Sequence, residues 1–274
     1  MTEPLTTTGI KEGVSASLYH ADRGSLSHSG AKLLLPPSAP AKFRYRMDNP
    51  PAPKRQFDFG HAAHKFVLGE GEEIVPVYAD DWRTKDAKEQ REAAHAEGKI
   101  PLLHTEVEHA INMAEVVASH PVASQIFTQG RAEMSMWAED PDTGVLLRGR
   151  SDWLADNGDL GEYKTSVTAN PAELQRLFWK YGYHMQAAWY RSLVISLGLS
   201  DNPRFRFVVQ EKTPPYLVTV IEYDDEALVE GRRLNRAAID LYAECVRTDS
   251  WPDYGTETHL LSLPLWALDQ EMEF

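Results

Sequence analysis

The spacing of hydrophobic residues changes character near residue 130, and the predicted elements change with it. Upstream the period is helical. Phe59, Ala62, Ala63, Phe66 and Val67 share one face of a helix over 57–68. Ile74 to Tyr78 is a short apolar segment, and 84–98 reads as a charged, exposed helix ended by Gly98. A further helix over 101–120 carries Val107, Ala110, Ile111, Ala114 and Val117, followed by a short helix over 121–127. From Arg131 the period becomes two. Strands are predicted over 131–139, 145–155 and 160–166, joined by the turns Pro141-Asp142-Thr143-Gly144 and Asp156-Asn157-Gly158-Asp159. Asn170-Pro171-Ala172-Glu173 then opens a helix, with a cap, proline at the first position and glutamate at the third. That helix is expected to reach Leu197 with a bend near Gly182. Strands over 204–211 and 216–223 flank Thr213-Pro214-Pro215, and a long helix spans 224–246.

Near the N-terminus, Ser27 or Ser29 caps a short helix stopped by Pro36-Pro37, with another short helix near 41–47. Residues 1–15 read as a flexible or loosely docked arm, and 16–274 as one domain. The order of elements predicts an α/β fold, a single domain with a mixed central β-sheet flanked by helices.

Composition narrows the functional classes. No uninterrupted apolar run approaches the roughly 18 residues of a membrane span, so no membrane partner is expected. A lone cysteine, Cys245, excludes an internal disulfide framework, and with no leader pattern at residues 1–13 it suits a cytoplasmic protein. The net charge of −13 opposes non-specific binding to nucleic acid through a positive surface. Positive charge is concentrated locally, however. Lys42, Arg44, Arg46, Lys54 and Arg55 face only Asp48 between residues 41 and 55.

The candidate chemistry lies in the hairpin. Period-two alternation puts Glu162 and Lys164 on one face, and the turn can bring Asp152 beside Glu162. Two carboxylates and an ammonium at one strand end suit a divalent metal and an activated water. A hairpin with ordinary surface charges is the bland alternative, since D-x9-E-x-K is a common pattern. Gln186 and Tyr190, four residues apart, share a face of the following helix.

Together, G-R-S-D, G-E-Y-K-T, Y-G-Y-H-M-Q-A-A-W-Y and the upstream F-G-H-A-A-H resemble the PD-(D/E)XK nuclease superfamily. More narrowly, the chain resembles phage and prophage RecE-like exonucleases, related to the RecB nuclease domain and more distantly to lambda exonuclease. The resemblance spans roughly residues 15–266 and includes the Leu-Ser-Leu-Pro-Leu-Trp near the end. It implies that His64, Asp152 and Glu162 hold metal with the main-chain carbonyl of Tyr163, and that Lys164 positions or activates the attacking water. It also implies that Gln186 and Tyr190 border the active site and touch the DNA strand. Glu133 is a further carboxylate for a second metal, with an exposed strand glutamate as its alternative. His61 reads as a surface or supporting residue. Lys42, Arg44, Arg46, Arg148 and Arg150 are the candidate nucleic-acid contacts.

An oxygen-rich ligand set with one imidazole suits Mg²⁺ or Mn²⁺. The resemblance therefore implies a metal-dependent exodeoxyribonuclease digesting linear double-stranded DNA, 5′ to 3′, in recombination or repair. A single-strand annealing protein and a ring-like homo-oligomer are its implied partners. Two alternatives remain open: a catalytically weak DNA-end-binding or protein-interaction module, and a single-strand exonuclease or endonuclease of the same superfamily.

Overall fold

The computed structural model describes residues 7–50 and 58–263. In chain order the elements begin with β1 (Gly9–Lys11), α1 (Ala16–Ala21), β2 (Leu26–Ser27), α2 (His28–Leu34) and α3 (Pro40–Asp48). Next come α4 (Asp58–Leu68), β3 (Ile74–Val77), α5 (Lys85–Ala96), β4 (Ile100–Leu103), α6 (His104–Ser119) and α7 (Ala123–Ile126). The central strands follow as β5 (Gly130–Glu139), β6 (Leu146–Ala155) and β7 (Leu160–Ser166). The chain continues with α8 (Pro171–Tyr181), α9 (Tyr183–Ser196), β8 (Phe205–Glu211), β9 (Val218–Glu222) and α10 (Asp225–Thr248).

The main sheet runs β1-β5-β6-β7-β8-β9, with β2 also on β6. β5, β6 and β7 are antiparallel, whereas β7 and β8 are parallel from Leu160↔Phe205 to Ser166↔Glu211. The sheet is therefore mixed, as the order of elements predicts. Alternation along β8 shows how it is buried. Phe205, Phe207 and Val209 join a core beneath α2, α8, α9 and α10, while Val208 joins a second core with Ala63 of α4 and Met113 of α6.

Three local expectations change. Residues 100–103 form a strand parallel to β3 before α6 begins, because Ile100, Leu102 and Leu103 bury themselves in a two-stranded sheet. The expected 170–197 helix breaks completely at Gly182, whose φ of 69° is left-handed and caps α8 while α9 restarts at once. Gly9–Lys11, within the expected arm, pairs antiparallel with Ser135–Trp137. Residues 1–6 of that arm lie outside the described residues, as do Lys54, Arg55 and the Pro264-Leu265-Trp266 end of the C-terminal motif.

Candidate metal centre

One edge of β6 is shared between two partners. β2 takes Leu147 and Arg148 in parallel register, and β7 takes Trp153 and Leu154. Between them, the edge at residues 149–152 carries no strand partner. Side chains fill the gap: the Arg150 N–H reaches the Tyr190 hydroxyl at 3.4 Å, and Trp189 Nε1 donates to the Arg148 carbonyl at 3.0 Å. Asp152 accepts the Tyr163 N–H at 2.8 Å, so a carboxylate replaces the backbone partner where β6 and β7 diverge. Gly149 makes this approach of α9 possible. A Cβ there would stand 2.6 Å from Leu193 Cδ1 and 3.0 Å from Tyr190 Cε1.

The opposite edge of β6 is interrupted at the same level. Ala132 pairs with Trp153 and Met134 with Ser151, but the step between them, Glu133 facing Asp152, is skipped. Glu133 has φ of +54°, a left-handed conformation uncommon for glutamate. Side-chain alternation changes hands there. Trp153, the partner of Ala132, packs edge-on against Phe127 beside α7, while Met134 lies in the core beneath α9. Glu133, Asp152 and Glu162 thus occupy neighbouring positions on three adjacent strands, at a level where both ladders open.

His64 of α4 completes the cluster. One ligand atom from each of His64, Glu133 and Asp152 lies within 4.8 Å of the others, with His64 Nδ1 3.6 Å from Asp152 Oδ2. Glu162 lies outside this trio. Its Oε1 accepts from Lys164 Nζ at 2.6 Å and from Gln186 Nε2 at 2.7 Å. Its Oε2 is buried and has no hydrogen-bond partner among the described residues, an arrangement that is unfavourable unless something else satisfies it. A carboxylate trio member on each side, one imidazole and an unsatisfied carboxylate oxygen fit a hard divalent cation.

The electrostatics point the same way. Burial, then Glu162, hold the Asp152 carboxyl well above the usual carboxylate range, against Lys164 and the Tyr163 N–H. Burial and Asp152 push Glu133 up to about 7, with Arg150 opposing. Burial pulls Lys164 down, but Glu162 and Asp152 more than reverse it, so its ammonium is held charged. Burial and Lys164 lower His64, leaving a neutral imidazole able to ligate. Acidic groups crowded until they resist ionisation gain most from a bound cation.

Gln186 meets Glu162 and Tyr190 meets the β6 edge, so these two positions on one face of α9 make different contacts. His61 is exposed. Arg148 departs from its expectation as a nucleic-acid contact. Its buried guanidinium donates to the carbonyls of Asp22 (2.9 Å) and Ser25 (2.7 Å) and pairs with the Asp22 carboxylate at 3.3 Å. Arg150 is largely committed as well, to Ser135 Oγ at 2.9 Å and the Val14 carbonyl at 2.6 Å, 3.9 Å from Glu133. On α3, Lys42, Arg44 and Arg46 are exposed, although Lys42 bonds Tyr254 and Arg44 pairs with Asp48.

Two further residues bear on Lys164 without having been assigned a role from the sequence. Tyr183 places its ring 5.5 Å from Lys164 Nζ. His28, following the Ser27 cap, is pushed down to about 3 by burial and by the Lys32 and Lys164 charges, and its Nε2 has no partner. No motif spacing links it to the hairpin.

A comparison with curated proteins finds no significant match. Among solved structures, a Eubacterium rectale protein provisionally named an exonuclease overlays with a TM-score of 0.65 at 11% identity, covering 96% of this chain and 100% of that one. At that identity the likeness concerns the fold alone. A phage-related exonuclease from Haemophilus somnus 129PT (TM-score 0.33, 13% identity, 82% and 96% covered) overlays more loosely. So does an alkaline exonuclease from Laribacter hongkongensis (0.31, 15%, 86% and 96%), and neither supports an inference. The sequence matches a family described as a PDDEXK-like domain of unknown function, DUF3799, over residues 27–263, nearly the whole of the sheet and its helices. The chain belongs to that family.

Proposed function

We propose that this protein is a metal-dependent deoxyribonuclease, acting as an exonuclease on linear double-stranded DNA in the 5′ to 3′ direction. The observation that carries the reading is the gathering of His64, Glu133 and Asp152 within 4.8 Å, beside a buried Glu162 oxygen that has no partner. His64, Glu133, Asp152, Glu162 Oε2 and the Tyr163 carbonyl would hold Mg²⁺ or Mn²⁺. Such an ion supplies charge to a bridging phosphate and lowers the pKa of bound water. Glu162 and Gln186 fix Lys164 so that its ammonium faces the same space. From there it can orient a water molecule or meet the negative charge that develops on the phosphate.

Lys42, Arg44 and Arg46 are offered as contacts to the duplex. A single-strand annealing protein and a ring-like assembly of identical chains fit this activity as partners. Among the described residues no helix is long and apolar enough to cross a membrane. The test uses linear and covalently closed duplex DNA, each with Mg²⁺, Mn²⁺ or EDTA. Metal-dependent loss of the linear substrate alone is expected. Degradation of both would make it an endonuclease, and no degradation with any metal would favour an end-binding module. End-labelled duplexes read the polarity.

A further inference from the structure

The C-terminal half of α8 puts two large rings into solvent. Trp179 is 65% exposed and Tyr181 46% exposed. The Trp179 ring lies against His184 at 5.1 Å and 11°, which braces one face and leaves the other open. Tyr181 sits 5.6 Å from Tyr183, whose own ring lies 5.5 Å from Lys164 Nζ. An unbroken aromatic path therefore leads from the catalytic ammonium to the surface.

Three basic residues, Arg176, Lys180 and Lys32, stand on or against α8 around these rings, with Glu230 of α10 acting on His184. Arg176 is exposed on the Trp179 side of α8, three residues before it, and Lys180 is exposed one residue after it; neither forms an ion pair among the described residues. They stand one helical turn apart, about 6 Å along the axis. Lys32 Nζ reaches across from α2 to the Tyr181 carbonyl at 2.5 Å. In a protein of net charge −13 this is a local basic and aromatic patch. Isolated exposed aromatics need no explanation, but two set among unpaired cations beside a phosphate-directed lysine fit a strand of nucleic acid.

We propose that this patch is a stacking platform for unpaired nucleotides adjoining the phosphate that Lys164 meets. The inference rests on the nuclease reading above. The open rings call for a base with a free π-face. In a duplex those faces are already stacked on one another, so the occupant is a single-stranded segment, such as a frayed end. Arg176, Lys180 and Lys32 would follow its phosphates. Because every base has a π-face, the platform would show little sequence preference.

The test measures binding of a fluorescent twelve-nucleotide oligothymidine and of a blunt duplex to the full chain in EDTA, by anisotropy. Trp179→Ala and Tyr181→Ala are each expected to weaken single-strand binding about fivefold or more, with Phe at either position restoring most of it. Duplex binding should change less than about twofold, because its bases have no free face to offer. Arg176→Ala and Lys180→Ala should each lower the salt slope of single-strand binding by about one. Unchanged single-strand affinity in the alanine variants, or an equal loss for the duplex, overturns the platform. Cleavage by the unaltered protein is measured alongside. If it cleaves while the variants bind normally, the platform alone is wrong. If it cleaves nothing but the variants lose the oligothymidine, the platform stands and the nuclease reading falls.

Discussion

Gln186 Nε2 and Lys164 Nζ share one oxygen of Glu162, at 2.7 and 2.6 Å. The glutamine therefore sets the orientation of the carboxylate that in turn sets the lysine. Gln186→Ala is expected to lower DNA cleavage at saturating metal by about tenfold to a hundredfold, through misplacement of Lys164. Stability should fall by roughly 1–3 kcal/mol, because a buried acceptor loses its donor. Urea denaturation and a cleavage assay on the same preparation check both. Full activity in a destabilised variant would reduce Gln186 to a packing residue.

Lys164→Ala should abolish cleavage, by at least about a hundredfold, while leaving metal affinity largely intact. Calorimetric titration with Mn²⁺ separates the two. Loss of metal binding in this variant would contradict the role given to the lysine.

Asp152→Asn keeps the shape and an acceptor for the Tyr163 N–H but removes a charge crowded by burial and by Glu162. The metal-free variant should melt higher than the unaltered protein, bind no divalent cation, and cut no DNA. A lower melting temperature would mean that the acidic group is not strained without metal.

The pH dependence has a definite sign. Glu133 is raised from 4.5 to about 7, so its folded state favours the protonated acid. Its contribution to stability is complete below about 4.5 and is lost as pH rises through about 7. Metal binding needs the carboxylate, so affinity for Mn²⁺ should rise over the same window. Its side chain is 39% exposed, which screens part of the effect. Melting temperatures in EDTA and in Mn²⁺ should diverge as pH increases, and Glu133→Gln should flatten the divergence. Parallel curves would remove Glu133 from the centre.

Arg148→Met leaves the Asp22 carboxylate buried without its cation. A loss of about 3–5 kcal/mol is expected, with no change in the salt slope of DNA binding among molecules that fold. Neutralising Lys42, Arg44 and Arg46 together should do the reverse, flattening the slope at little cost to stability. An unchanged slope would take α3 out of the interface.

The hairpin was legible because its signals are local. Asp156-Asn157-Gly158-Asp159 marks the turn, period-two alternation pairs Glu162 with Lys164, and the Asn170 cap starts the helix that carries Gln186. Residues that depend on distant chain were harder to read. Arg148 looks like any strand arginine until Asp22 and Ser25 close over it. Residues 100–103 look helical until β3 supplies a partner. His64 and Glu133 came with the resemblance, and only the skipped register step at Glu133 shows why that residue can turn toward Asp152. Tyr183 reaches Lys164, and Lys164 acts on His28, only through the tertiary fold.

The parallel pairing of β7 with β8 also orders events in time. β5, β6 and β7 can zip together as soon as they are synthesised, since short turns join them. Tyr163, however, is fixed on its second side only by Val208, which follows two helices later. The strand that carries Glu162 and Lys164 thus gains its second neighbour from the part of the chain furthest from it in sequence among its two strand partners.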